Sequence, residues 1–220
     1  MNPPYNHTDA ELTLFHAPNT RSSGVRVLLE ELGASYQLHP IDMKANKQRA
    51  QDYLAVNPMG KVPAIKHGET LITEQVAIYI YLADLFPEAG LAPGLRDPQR
   101  GAYLRWLAFY GSCFEPAMCD LALKREPVPP ATCPYGDCET TLKTLNDQLA
   151  RGPYMLGAQF SAADVLWGSS LTWMTMFGLL PETPDMKAYI DRVNQRPSIA
   201  HVRQQDAELS AVLAAARDAT

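Results

Sequence analysis

The first periodic signal in the chain is an alternation. Leu12-Thr13-Leu14-Phe15-His16 alternates in the manner of a short half-buried strand and stops at the turn residues Ala17-Pro18-Asn19. Residues 1–10 carry no such period and are expected to form a loose tail. Beyond the turn, Thr20, Ser22 and Ser23 precede Val25, Val27, Leu28, Leu29 and Leu32, an apolar helical face that runs to Gly33, where a left-handed cap is expected. Tyr36 to Ile41 supplies a second strand. Strand, helix and strand in this order predict a parallel pair joined by a right-handed crossover. A weaker helical signal covers Lys47 to Val56.

Ala64 to Ile72 then reads as two antiparallel strands joined through His67-Gly68, a glycine-bearing hairpin turn. Thr73 to Phe86 follows as a helix whose apolar residues, Val76, Ala77, Ile78, Ile80, Leu82, Ala83 and Leu85, surround much of its circumference. Such a helix is buried on more than one side, against a sheet and against a second domain or subunit. Pro87 to Pro98 is a linker by its prolines and glycines.

The pattern after the linker is entirely helical. Arg100 to Cys119 carries Tyr103, Leu104, Trp106, Leu107, Tyr110 and Phe114, and Cys138 to Leu149 carries Leu142, Leu145 and Leu149 on one face. Glu126-Pro127-Val128-Pro129-Pro130 between them is a loop. Ser161-Ala162-Ala163-Asp164 has the spacing of a capping pair and opens an apolar run to Phe177. Pro184 to Asn194 and Pro197 to about Ala215 give the last helices, each begun near a proline. No internal repeat is present.

One stretch has a chemistry of its own. In Asn57-Pro58-Met59-Gly60-Lys61-Val62-Pro63-Ala64-Ile65 the residue before Pro63 is pushed out of the helical region, so Val62 must present an extended backbone. Pro63 lacks an N–H and belongs at a strand start or edge, and a cis Val62-Pro63 bond fits so tight an approach. A plain turn leading into a strand accounts for this stretch taken alone equally well.

Composition narrows the function classes. The chain of 220 residues has room for one large domain or two modest ones. Its net charge of -5 and lack of basic runs exclude a nucleic-acid partner, which needs a Lys/Arg stripe to displace counterions. No apolar stretch approaches the ~20 residues that span a bilayer, and Met1 to Glu11 is polar and unlike a signal peptide, so a cytoplasmic protein with no membrane partner is expected. The cysteines, Cys113, Cys119, Cys133 and Cys138, form no C-x-x-C pair and are expected as free thiols. Cys133 and Cys138 have no neighbouring histidine, and His7, His16, His39, His67 and His201 show no paired ligand spacing. No metal is expected.

The order β-α-β-α-β-β-α followed by a helical region resembles the soluble glutathione S-transferases. The most specific residues are Asn57-Pro58-x-Gly60-Lys61-Val62-Pro63-Ala64-Ile65 and Leu71-Ile72-Thr73-Glu74-Gln75-x-Ala77-Ile78-x-x-Tyr81-Leu82-Ala83-Asp84 through Pro87, joined by the Ser161 to Asp164 cap and Arg196-Pro197. The resemblance implies an α/β plus all-α chain: a thioredoxin-like βαβαββα domain over residues 10–87, a linker over 88–98 and an all-helical bundle domain over 99–217. It implies glutathione as co-substrate, held through Lys61, Val62 and Pro63, with the Val62 backbone pairing to the cysteinyl moiety like an added strand. Glu74 and Gln75 would meet the γ-glutamyl end, where a helix N-terminus offers unpaired N–H groups. Most relatives have Ser where this chain has Gln75, whose amide still offers two donors.

The site must ionise the glutathione thiol, because a free thiol of pKa ~8.5 is only slightly ionised at neutral pH and the thiolate is the nucleophile. A shift of two units corresponds to about 2.7 kcal/mol, within reach of one hydrogen bond to the charged sulfur at roughly 1.5–3 kcal/mol. Thr20 is the first candidate and Ser22 the second, with Ser23 also near and Arg21 able to add positive charge; each also suits capping of the first helix. The resemblance offers no tyrosine for this task, since Phe15 and His16 occupy the matching positions. No cysteine precedes Cys113, which excludes branches that use a protein thiol. Tyr110 and Phe114 are the candidates for lining a pocket for the electrophile between the domains, although aromatic residues at this helical spacing serve equally as core.

The implied activity is that of a homodimeric detoxification enzyme adding the glutathione thiolate to small apolar electrophiles. Glutathione-dependent disulfide or peroxide reduction or isomerisation on the same site is the enzymatic alternative. A binding protein that keeps the fold without turnover is the other.

Overall fold

The computed structural model describes residues 11–219, so the expected tail lies outside the described residues. In chain order the elements are β1 (Leu12–His16), α1 (Arg21–Glu31), β2 (Gln37–Pro40), α2 (Gln51–Val56), β3 (Ala64–His67), β4 (Thr70–Ile72), α3 (Gln75–Leu85), α4 (Arg100–Phe109), α5 (Glu115–Ala122), α6 (Cys138–Leu149), α7 (Ala162–Met176), α8 (Pro184–Asn194) and α9 (Pro197–Asp218). They divide into two compact units. The first takes the described residues up to Ala89 together with α9, and the second is Gly90–Arg196.

In the first unit the sheet order is β2-β1-β3-β4, with β1 parallel to β2 and antiparallel to β3, and β3 antiparallel to β4. This is the thioredoxin-like arrangement, and local sequence explains its parts. β1 ends where Pro18 and Asn19 turn the chain, the latter at φ 57°, and Thr20 caps α1 by accepting the Ser22 N–H. α1 closes on Gly33 at φ 63°, a conformation that costs glycine nothing and other residues a Cβ clash. Gly68, at φ 57°, turns β3 into β4. Phe15, Ile41, Tyr53 and Ala64 form a small core over which Val56, Val62 and Leu71 pack.

α9 corrects the expected division, which placed every helix beyond residue 99 in one domain. The helix packs on α1, and the buried Asp206 carboxylate on it accepts from His16, Ser23, Arg26 and the Asn19 N–H. A carboxylate removed from water needs several donors, and those lie in the first unit.

The second unit is built from α4 to α8, with α4 passing through a π-helical segment, Tyr110–Phe114, into α5. Trp167 of α7 is its centre: the rings of Phe114, Tyr110 and Trp106 stand 4.8, 5.3 and 6.2 Å away, and the indole N–H donates to the Trp106 carbonyl. The Ser161 and Asp164 pair forms the capping box that its spacing predicts. Asp164 also accepts from the Met155 N–H and the Tyr189 hydroxyl, tying α7 to α8. Among the described residues, no helix is long and apolar enough to cross a membrane.

Candidate functional site

Sheet register gathers the site. Phe15 of β1 pairs with Ala64 of β3, so the turn after β1 and the segment before β3 lie at the same end of neighbouring strands, which are about 4.8 Å apart. The N-terminus of α3 joins them, because the Gln75 amide donates to the Arg21 carbonyl at 3.4 Å. Residues 17–23, 61–63 and 74–75 therefore lie together at one end of the sheet.

The segment before β3 is held from below. Asn57 is buried, and its side chain both accepts the Met59 N–H and donates to the Lys61 carbonyl at 2.9 Å; the Tyr53 hydroxyl donates to the same carbonyl at 2.6 Å. Gly60 completes the turn at φ 59°, with the Gln48 carbonyl oxygen 2.7 Å from where a Cβ would stand. The Lys61 side chain is exposed. The Val62-Pro63 peptide is cis. Among the described residues, the Val62 N–H and C=O make no hydrogen bond within the chain, so both are available to an extended ligand backbone.

Glu74 is exposed and sits at φ 63°, ψ 114° before the first turn of α3. A non-glycine residue in this region carries about 1–3 kcal/mol of strain, which persists where surrounding structure imposes it and is characteristic of ligand sites. No side chain caps α3, so its first N–H groups are left without a side-chain acceptor. Gln75 differs from the expectation of two free donors: its nitrogen is engaged with Arg21, and its carbonyl oxygen is buried without a partner among the described residues.

The two hydroxyls proposed for thiol activation are not equivalent. Thr20 is half-buried at the surface; its oxygen accepts the Ser22 N–H, and its proton reaches the Ala17 carbonyl at 2.8 Å or the Ser22 oxygen at 2.7 Å. Ser22 is 0 % exposed and faces inward. Its oxygen meets the Ala17 N–H and carbonyl, Thr20 and the Nδ1 of His16, so it has no surface to offer a ligand. Ser22 stands behind Thr20 rather than beside it. Ser23 donates to Asp206 instead.

Tyr110 and Phe114 require a correction. They are 2 % and 0 % exposed in the aromatic core around Trp167, and the Tyr110 hydroxyl hydrogen-bonds within the same unit to Glu115 and Ser170. The helical spacing that left core or pocket open resolves as core. A cleft of about 710 Å3 does exist within the first unit, lined by Phe15, His39, Tyr53, Leu213 and Arg217 among others, but none of the expected site residues lines it.

Sequence reasoning missed Tyr53, Asn57, His16 and Asp206. Asn57 had a signal, its place in the same motif as Val62; Asp206 had none. Burial opposes ionisation of Asp206, yet hydrogen bonds from His16, Ser23 and the Asn19 N–H hold its carboxyl below the ordinary value.

A thioredoxin-like sheet with a helical unit following defines a class of architecture, and comparison with known sequences narrows it. Residues 10–84 match the family "Glutathione S-transferase, N-terminal domain" and residues 135–192 match "Glutathione S-transferase, C-terminal domain". Glutathione S-transferase GstA of Escherichia coli O157:H7 is 29% identical over 191 residues, covering 86% of this chain and 95% of that protein. The disulfide-bond oxidoreductase YfcG of Escherichia coli (strain K12) is 27% identical over 201 residues, covering 85% and 92%. Among solved structures, that of a sphingomonad glutathione S-transferase complexed with glutathione superposes with a TM-score of 0.72 at 30% identity, covering 89% of this chain and 98% of that one. The chain belongs to the glutathione S-transferase family.

Proposed function

We propose that the protein is a glutathione transferase that adds the glutathione thiolate to small apolar electrophiles. The observation that carries the reading is Val62: a backbone N–H and C=O immediately before Pro63, without hydrogen-bond partners among the described residues, near Thr20 and the uncapped start of α3. Glutathione lies there as an added strand, its cysteinyl amide paired with Val62 and its sulfur toward Thr20. Its γ-glutamyl carboxylate meets the α3 N–H groups, and its ammonium meets the exposed Glu74. Thr20, rather than Ser22, meets the sulfur. The protein is a homodimer in this reading and works in the cytoplasm.

Capture on immobilised glutathione together with turnover of an activated aryl halide tests the proposal, and failure of both overturns it. A second reading, glutathione-dependent disulfide reduction, is favoured by the similarity to YfcG. Since no cysteine precedes Cys113, such exchange would use glutathione thiols alone. Capture without aryl halide turnover but with reduction of a mixed disulfide selects it; capture with neither activity selects a binding protein.

A further inference from the structure

A chain of hydrogen bonds runs inward from Thr20. The Thr20 and Ser22 oxygens are 2.7 Å apart, Ser22 Oγ is 2.9 Å from His16 Nδ1, and His16 Nε2 is 3.0 Å from Asp206 Oδ1. All three spacings are those of made hydrogen bonds. His16, Ser22 and Asp206 are buried, and only Thr20 reaches the surface. The proposed function uses Thr20 alone and leaves the other three unexplained.

Their proton order follows from chemistry. Asp206 is a carboxylate and only accepts, so His16 Nε2 donates to it. A neutral imidazole then has a lone pair on Nδ1, which shares the Ser22 hydroxyl proton with the Ala17 carbonyl, 3.0 Å from Ser22 Oγ. The Ser22 oxygen accepts the Ala17 N–H and, when the Thr20 hydroxyl turns from the Ala17 carbonyl 2.8 Å away, the Thr20 proton; the Thr20 oxygen, already accepting the Ser22 N–H, then turns its remaining lone pair outward. In that state Thr20 is an acceptor for an S–H.

We infer that the thiol proton of bound glutathione is stored on His16, passed inward through Thr20 and Ser22, while Asp206 holds the imidazolium that results. The inference rests on the glutathione reading above. The balance is complete: the S–H bond breaks and its proton joins Thr20 Oγ1, the former Thr20 proton joins Ser22 Oγ, and the former Ser22 proton joins His16 Nδ1. The S–H electron pair stays on sulfur. Every hydroxyl has then reversed, so Thr20 donates to the new thiolate, Ser22 donates to Thr20, and Nδ1–H donates to Ser22.

Charge favours the exchange. Arg26 pairs with Asp206 at 3.2 Å, a neutral set before transfer; afterwards the imidazolium's positive charge is matched by the thiolate's negative one. The same trio of residue types serves elsewhere to activate a serine nucleophile. Here Ser22 has no exposed surface, so it conducts rather than attacks. His16 and Asp206 are thus positioning and proton-holding residues behind Thr20.

The test follows the His16 proton. Nitrogen NMR of the wild-type protein is expected to show Nδ1 unprotonated in the free state, protonated with glutathione, and unchanged with S-methylglutathione, which has no thiol proton. Calorimetry in buffers of different ionisation enthalpy should find little proton release although thiolate absorbance appears. His16→Gln keeps an N–H for Asp206 but accepts no proton; its bound glutathione should be about tenfold less ionised at neutral pH, with any proton lost appearing in the buffer. Thiolate formation with an unchanged His16, or with full proton release from the wild type, overturns the relay and leaves glutathione binding intact. Binding without thiolate overturns the relay as well. If the wild type binds no glutathione, both readings fall. Should His16→Gln not fold, the wild-type spectra decide alone.

Discussion

Gly168 of α7 lies so close to Val193 of α8 that a Cβ on the glycine would stand 2.5 Å from a Val193 methyl. Val193 is β-branched and fully buried, so it cannot rotate aside. Gly168→Ala is therefore expected to destabilise the second unit by about 1–3 kcal/mol, despite alanine's better helix propensity. The urea midpoint measures it. Combining it with Val193→Ala should recover part of the loss, and strict additivity of the two would contradict the steric account.

A different glycine controls the proposed ligand site. Gly60 combines φ 59° with a would-be Cβ 2.7 Å from the Gln48 carbonyl, and this obstacle is backbone. Gly60→Ala should shift the turn that fixes Lys61 and Val62. Glutathione affinity is expected to fall by about tenfold or more, along with a stability loss of about 1–3 kcal/mol. Titration calorimetry beside a denaturant curve separates the two effects; unchanged affinity would show that the turn does not set the Val62 posture.

Thr20 and Ser22 should respond differently to substitution. Thr20→Val removes the only hydroxyl of the pair that reaches the surface, and kcat/KM for an aryl halide should fall by about 10–100-fold, the equivalent of one hydrogen bond to a charged sulfur. Thr20→Ser should retain most activity. A Thr20→Val enzyme with wild-type kcat/KM would remove Thr20 from the mechanism.

Much of the first unit was legible in its sequence because its signals are local. β1 occupies the residues whose alternation predicts it, and Gly33 and Gly68 adopt the positive φ that their positions require. What stayed hidden depends on contacts distant along the chain. His16 and Asp206 are separated by 190 residues, and neither carries a mark of the other. Tyr110 and Phe114 show why periodicity cannot choose between core and pocket: both give an aromatic stripe, and only the position of Trp167 decides. Thr20 and Ser22 are chemically alike near a helix start; the inward turn of the second became visible only with His16 in place.

Asp164 gives the second unit a pH signature. Burial pushes its carboxyl up from 3.8 to about 6, despite the donors around it. Between those values the folded state holds more protons than the unfolded one, so this group's contribution makes stability fall as pH rises through the window and level off above it. The drop is about 3 kcal/mol at most. Asp206, held below its ordinary value, acts in the opposite sense and at lower pH. Urea midpoints across the window should show the decline in the wild type and a flatter profile in Asp164→Asn, which is also less stable because its amide faces backbone donors. A wild-type profile that rises through the window would contradict the assignment.

The placement of α9 sets an order of events during synthesis. β1 and α1 leave the ribosome early, but the carboxylate that answers His16, Ser23 and Arg26 is encoded beyond the whole of the second unit. Until it emerges, these side chains have no Asp206 to receive them and the face of α1 that α9 covers is open to water and to chaperones. The nascent first unit is thus a waiting partner, and its His16 gains a carboxylate only when α9 docks.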